Sequence, residues 1–318
     1  LFNGLWDLIC KFHKKPLWKY IVELESNSLL DKLSFSYIDD AISKSEAFDI
    51  LEKKKQNLNK SQETIINHGF PCYTTAAGWL GYSDEKMTKL VKNALQKGWT
   101  HFKMKVGQDI DHDIKRLELV RNLIGPENVL MIDANQVWSV NESIDCINKL
   151  KMFDLYFVEE PTSPDDILGY KKIKDAIPDV NLATGEVCQN RVMFKQFLEN
   201  RSLDFCQIDS CRMASLNEII PVMILASKLN IPIIPHAGGI GLCEYVQHLN
   251  IINSLIITNN GIHLSEYAES CSEHLENPAI INRGRYTTPL KAGYSAIIKK
   301  ESLATYVFPS GSYWKSVL

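Results

Sequence analysis

The sequence predicts an α/β protein, a TIM-like barrel of alternating strands and helices, and two observations predict it. From Pro71 onward, short apolar runs alternate with amphipathic stretches of helical length through seven or eight units. Strands alternating with helices at that length build a parallel sheet, and so many units argue a barrel over an open sheet. The second observation is where the charges fall. Lys103 and Lys105 close THFKMKV, Asp133 closes VLMIDAN, Glu159 closes LYFVEEP, Glu186 closes LATGE, Asp209 closes FCQID and His236 closes IPIIPH, at steps of 23–28 residues. Such a step is one strand, one helix and two loops. In a closed barrel the carboxyl ends of the strands face one cavity, so these groups would meet there.

Each element has its own local signal. Residues 3–25 read as helical, with Leu5, Leu8, Ile9 and Phe12 recurring on one stripe, and Pro16 should interrupt that helix and start another. The polar stretch 52–62 (EKKKQNLNKSQ) reads as a solvated helix or a linker. The first barrel strand is expected within CYTTAAGW, followed by a helix over 84–97 that Gly98 should stop. The alternation then runs FKMKV and helix 110–123, VLMIDA and helix 140–151, LYFVEE and helix 165–176. It continues with NLATG and helix 191–200, FCQID and helix 216–228, IPIIPH and helix 242–252. Ser139 with Glu142, and Ser215 with Glu218, have the spacing of capping boxes at two of these helix starts. The tail from about Arg285 lacks the period and is expected to be strand and turn, packed outside the barrel against the N-terminal helices. The chain thus divides into residues 1–65, a barrel over 66–284 and a tail over 285–318.

Composition narrows the class. With 318 residues, 45% hydrophobic and 23% charged, the chain suits one large core or two modest ones. The net charge of −3 comes with no basic block, which argues against a nucleic-acid partner. No apolar run approaches the ~20 residues of a membrane span. The eight cysteines are dispersed without a CxxC pair and sit mostly inside apolar runs, which points to a reducing interior compartment. Cys206 and Cys211 are near one another, but no second Cys/His pair follows at zinc-ligand spacing. The first residue is Leu1, not methionine, so a fragment or processed product is expected.

The in-phase groups suggest chemistry. Any one of Asp133, Glu159 and Glu186 reads more readily as a helix cap or loop charge, but three on consecutive strand ends do not. Brought together they repel and raise one another's pKa, a cost that a hard divalent cation relieves, and all-oxygen ligation suits Mg²⁺. Lys103 and Lys105 lie two apart, so on a strand both point to one face, here the barrel interior. Burial and mutual repulsion lower a lysine toward the range of a general base. Asp209 beside His236 would orient the imidazole and raise its basicity, and Ala237, Gly238 and Gly239 leave room for a ligand near it. The other histidines (His13, His68, His101, His112, His248, His263 and His274) read as surface or core residues. The sum suits removal of a proton α to a carboxylate, with a cation stabilising the enediolate.

Together KMK (103–105), DANQ (133–136), EEPTSPDD (159–166), GE (185–186), QIDSCR (207–212) and PHAGGIGLCE (235–244) resemble the enolase superfamily. Within it they look like the mandelate racemase subgroup, and there like its L-fuconate dehydratases; WLGYSDE (79–85) and the tail near Pro309 are similar too. The resemblance implies a (β/α)7β barrel, with residues 1–65 and the tail as the remnant of an α+β capping domain whose loops close the barrel mouth. It implies Mg²⁺ on Asp133, Glu159 and Glu186, Lys105 as the base at C2, and Lys103 steadying the substrate carboxylate. His236, oriented by Asp209, would be the acid for the departing 3-hydroxyl. Asn135, Glu186, Ala237, Gly238 and Glu266 would touch the substrate. The product would be a 2-keto-3-deoxy sugar acid. A mitochondrial or cytoplasmic location and a homo-oligomeric state are implied as well. Two alternatives stay open: a racemase or epimerase of a 2-hydroxy acid using the same groups, and a lid-less, non-catalytic isoform with a regulatory or protein-binding role.

Overall fold

The computed structural model describes residues 1–258, 261 and 264–317. Strand β1 (Phe70–Thr74) has parallel neighbours on both sides. On one side follow β2 (His101–Lys105), β3 (Val129–Asp133), β4 (Leu155–Glu159), β5 (Leu182–Thr184) and β6 (Phe205–Cys206), each paired with the next. On the other side β7 (Ser265–Tyr267) pairs with β1. The chain at 231–236 runs beside β6 but makes only single bridges, Cys206 to Ile233 and Asp209 to His236. The ladder there is short: Cys206 N donates to Pro232 O, Ile234 N to Cys206 O and His236 N to Ile208 O at 2.9, 2.9 and 3.1 Å, and Pro232 and Pro235 have no N–H to extend it. Counted with that segment, eight parallel runs enclose the barrel interior, the (β/α)7β arrangement.

Interior and exterior layers alternate along the strands. Tyr73, Met131, Phe157, Ala183, Phe205, Ile234 and Leu264, one from each of seven runs, form a buried cluster inside the sheet. Phe102, Met104, Leu130, Ile132, Val158 and Leu182 point the other way, into the layer beneath the helices.

Five helices precede the barrel: α1 (Phe2–Phe12), α2 (Leu17–Glu23), α3 (Ser26–Leu30), α4 (Lys44–Lys55) and α5 (Leu58–His68). The polar stretch 52–62 is therefore the end of α4, a two-residue turn and the start of α5. Pro16 does separate two helices, but the stripe of α1 faces outward: Leu5, Leu8, Ile9 and Phe12 are exposed, while Trp6 and Cys10 are buried. Trp6 Nε1 donates to Asn217 Oδ1 at 3.0 Å and Asn3 accepts from the Tyr245 hydroxyl at 2.9 Å, which fixes the neighbouring face against the barrel.

The seven barrel helices are α6 (Asp84–Gln96), α7 (Ile110–Ile124), α8 (Val140–Leu150), α9 (Ile167–Ala176), α10 (Arg191–Glu199), α11 (Leu216–Lys228) and α12 (Leu242–Ile252). Ser139 and Glu142 form the expected capping box on α8. At α11 the box does not form. Ser215 accepts from Asn217 N, while Glu218 instead accepts from the Arg191 backbone N–H at 3.1 Å and pairs with its guanidinium.

Beyond the barrel, β8 (Ile281–Asn282) and β9 (Arg285–Tyr286) form a hairpin antiparallel to β1. The tail then crosses the N-terminal helices: Leu17 N donates to Gly293 O at 3.0 Å and Trp18 Nε1 to Pro289 O at 2.7 Å. Where strand and turn were expected it ends in two helices, α13 (Lys300–Tyr306) and α14 (Ser312–Val317). KESLATY holds good helix formers in Lys, Glu, Leu and Ala. All eight cysteines are free; Cys10, Cys72, Cys188, Cys206 and Cys243 are buried, Cys146 is half-buried, and Cys211 and Cys271 are exposed.

Candidate active site

On β2 the alternation sends Phe102 and Met104 into the core and Lys103 and Lys105 into the barrel. An ammonium buried there needs anions around it. Lys103 Nζ has them: Glu159 Oε2 at 2.6 Å, Glu266 Oε1 at 2.9 Å and Asp133 Oδ2 at 3.6 Å. Lys105 Nζ pairs with Asp133 Oδ2. Burial works against the charge on Lys103, but Glu159 and Glu266 outweigh it and hold its pKa well above the usual lysine range.

The second wall carries the imidazole. His236 Nδ1 lies 2.7 Å from Asp209 Oδ2, and Nε2 lies 3.1 Å from Glu186 Oε2. Asp209 is fixed from behind by the backbone N–H groups of Cys211 and Arg212, which donate to its Oδ1 at 2.7 and 2.8 Å. Burial disfavours the imidazolium, but Glu266, the Asp209 hydrogen bond and Glu186 overcome this and raise His236 to about 9. Burial would raise Asp209, yet its bond to His236 and the two N–H groups bring it below the usual carboxylate range. A Cβ on Gly238 would stand 2.5 Å from His236 Nε2, so only glycine fits beside that nitrogen, toward which its own N–H points at 3.2 Å.

Glu266 joins the walls. Besides Lys103, it accepts from Ala237 N at 2.8 Å and lies 3.7 Å from His236 Nε2. Burial pushes its pKa up, but Lys103 and His236 hold it down at about 2.

Asp133 and Glu159 sit side by side at the ends of β3 and β4, and Glu186 follows the end of β5. Each is drawn to a nearby base: Asp133 to the lysines, Glu159 to Lys103 and to Gln207 Nε2 at 2.8 Å, Glu186 to His236. Among the described residues no three His, Cys, Asp or Glu side chains converge in a geometry that by itself holds a metal ion. The expected three-acid ligand set is therefore present at its strand ends but turned toward the amines and the imidazole, the nearest positive partners. Its donors nonetheless fit a hard cation. Glu159 Oε1 is buried without a partner, pinned by bonds to its other oxygen. Burial and the Asp133 charge raise Glu159 to about 8 despite Lys103, a cost that added positive charge would remove. Burial raises Glu186 as well, with Asp133 adding to the push and His236 opposing it.

Asn135 lies at the mouth, exposed, with its backbone N–H donating to Asp133 Oδ1 at 2.8 Å. The structure also brings in residues the sequence reading passed over. Gln207 holds Glu159; it stands two before Asp209, so strand periodicity could have found it. Tyr73, inward on β1, places its hydroxyl 3.5 Å from Lys103 Nζ. Glu160, the second acid of EEP, is fully buried. Arg116 on α7 donates to the carbonyls of Lys105, Gly78 and Trp79 at 2.6, 3.0 and 3.0 Å, bolting the end of β2 to the loop after β1. No local pattern marked it. His263 lies outside the described residues.

An eight-run β/α barrel with lysines on one wall, an Asp–His pair on another and acids between them is the frame of the enolase superfamily. Residues 86–302 match the enolase C-terminal domain-like family, and the chain belongs to that family. It is 47% identical over 319 residues to mitochondrial enolase superfamily member 1 of Xenopus laevis, covering 99% of this chain and 72% of that protein. The crystal structure of the human protein of that name superposes with a TM-score of 0.96 at 42% identity, over 100% of this chain and 73% of that one. L-galactonate dehydratase of Hypocrea jecorina is 42% identical over 320 residues, 98% of this chain and 71% of that protein. More distantly, a variant of L-talarate/galactarate dehydratase solved with Mg and L-glucarate is 26% identical with a TM-score of 0.67, over 81% and 63% of the two chains.

Proposed function

We propose that this chain is an acid-sugar dehydratase, a lyase that works with Mg²⁺ on L-fuconate. The observation that carries the reading is that Lys105, held by Asp133, and His236, oriented by Asp209, stand on walls that Glu266 joins through Lys103 and Ala237. Relatives named as dehydratases of L-galactonate and of L-talarate/galactarate support the acid-sugar class. L-fuconate is the 6-deoxy form of L-galactonate, so the two share every stereocentre that C2–C3 chemistry would read.

Asp133, Glu159 and Glu186 would hold Mg²⁺, as supported by the relative solved with Mg. Bound there, the cation would stabilise the negative charge that develops on the substrate carboxylate. Lys103 secures that carboxylate, and Lys105 takes the C2 proton. Raised to about 9, His236 is protonated at neutral pH, the state in which Nε2 can give its proton to the 3-hydroxyl. Water leaves, the C2–C3 enol forms, and its tautomer is the 2-keto-3-deoxy acid. Asn135, Ala237 and Gly238 line the path of the sugar. Residues 1–65 and 285–318 contribute to a capping unit at the barrel mouth, and the location is mitochondrial, as the relatives' name supports.

The test is turnover of L-fuconate and L-galactonate with Mg²⁺ in deuterated buffer. Keto acid should form with wild type. Lys105→Ala should lose both keto acid and C2 exchange, and His236→Asn should lose keto acid while keeping exchange, each by ~10²–10⁴-fold. Both C2 epimers carrying deuterium, with no keto acid, would instead establish a racemase. Neither exchange nor product with any acid sugar would leave the barrel without a catalytic role.

A further inference from the structure

Three residues at the barrel mouth hold left-handed backbone without being glycine: Asn135 (φ 46°), Gln136 (φ 68°) and Glu160 (φ 41°). Glycine adopts that conformation at no steric cost, so other residues persist there only where their surroundings over-determine them. Two of the three grip each other twice. Gln136 N donates to Glu160 O at 2.8 Å, and Gln136 Nε2 donates to Glu160 Oε2 at 2.8 Å. Around this pair the ladder continues past the strands, with Ala134 N on Glu159 O and Glu160 N on Ala183 O, both at 3.0 Å. Glu160 is fully buried, and its Oε1 has no partner. A buried acid beside other acids is costly.

The geometry points to Glu160, clasped by Gln136, as a positioning residue: the pair sets the separation of the β3 and β4 ends, from which Asp133 and Glu159 would reach a divalent cation. The inference rests on the metal role proposed above for those two acids. Gln136 lies three residues past Asp133, and Glu160 directly follows Glu159, so each half of the clasp fixes the turn that aims one ligand. A metal site is only as good as the groups that orient its ligands, and loss of such outer partners weakens binding.

The test is Mg²⁺ binding by calorimetry on the full chain, with thermal melts of the same variants without Mg²⁺. Glu160→Gly relieves the backbone conformation while removing the side-chain half of the clasp. Its melting temperature should be no lower than wild type, and its Mg²⁺ affinity should fall ~10–100-fold, as should that of Gln136→Ala. Glu160→Gln keeps an oxygen for Gln136 to donate to and should stay within about threefold of wild type, since the outer partner is retained. Unchanged affinity in Glu160→Gly overturns the clasp. Equal losses in Glu160→Gln and Glu160→Gly also overturn it, by making the charge of Glu160, not its placement, what matters. Wild type that binds Mg²⁺ but dehydrates no acid sugar refutes the proposed reaction and still measures the clasp; wild type that does not bind Mg²⁺ refutes both.

Discussion

His248 shows how a single buried group leaves its mark on stability. It is fully buried on α12, with Nδ1 accepting from Trp18 N at 3.2 Å, and desolvation lowers its pKa from 6.5 to about 3. The unfolded chain therefore takes up a proton as pH drops below 6.5, while the folded chain stays neutral until about 3. Stability should fall through that window as the solution is acidified, with this residue contributing up to about 1.4 kcal/mol per pH unit. His248→Asn, which keeps an acceptor for Trp18, should flatten that part of the curve in urea titrations between pH 6 and pH 4; an unchanged slope would refute the assignment. In sequence it reads as surface or core, and the apolar helical run around it is the signal for the core. Glu160 was not legible in the same way, since the second acid of a doublet looks like a solvated loop charge until the neighbouring strand covers it.

For the elements, legibility followed the strength of the local signal. The barrel helices appeared close to the positions expected because apolar periodicity and caps agreed. Ser139 with Glu142 is such a case, and Ser139→Ala should cost about 1 kcal/mol, read as a lower melting temperature with activity retained. Ser215 with Glu218 has the same spacing but forms no box, because Arg191, 27 residues away, offers Glu218 a stronger partner. The IPIIPH run was apolar enough to read as a strand, and it runs beside β6 with three backbone bonds, though its prolines keep that ladder short. On α1 the period gave the helix correctly but not its buried side. Periodicity defines an apolar face, and which face meets the barrel depends on contacts such as Trp6 with Asn217.

Considered as a whole, the molecule concentrates its electrostatic stress in one place. Glu159, Glu160, Glu186 and Glu266 share the interior with Asp133, two lysines and one imidazole. A divalent cation bound there should stabilise the entire fold by mass action, by about 2.7 kcal/mol at a hundredfold excess over its dissociation constant. Melting temperature should therefore rise with Mg²⁺ and return to its starting value on chelation. No response up to millimolar Mg²⁺ would remove the metal from the proposal. The convergence itself was legible, because strand ends recur at regular steps. The side-chain directions were not, since they depend on which base lies nearest to each acid.

Glu266 lies where the last run of the cylinder rejoins the first, one oxygen on Lys103 and the other on Ala237. The group proposed to touch the substrate is thus also a tie between two walls of the barrel. Any lineage that retunes this position for a new sugar must also find another partner for a buried ammonium and a buried backbone N–H, which ties its repertoire to its architecture.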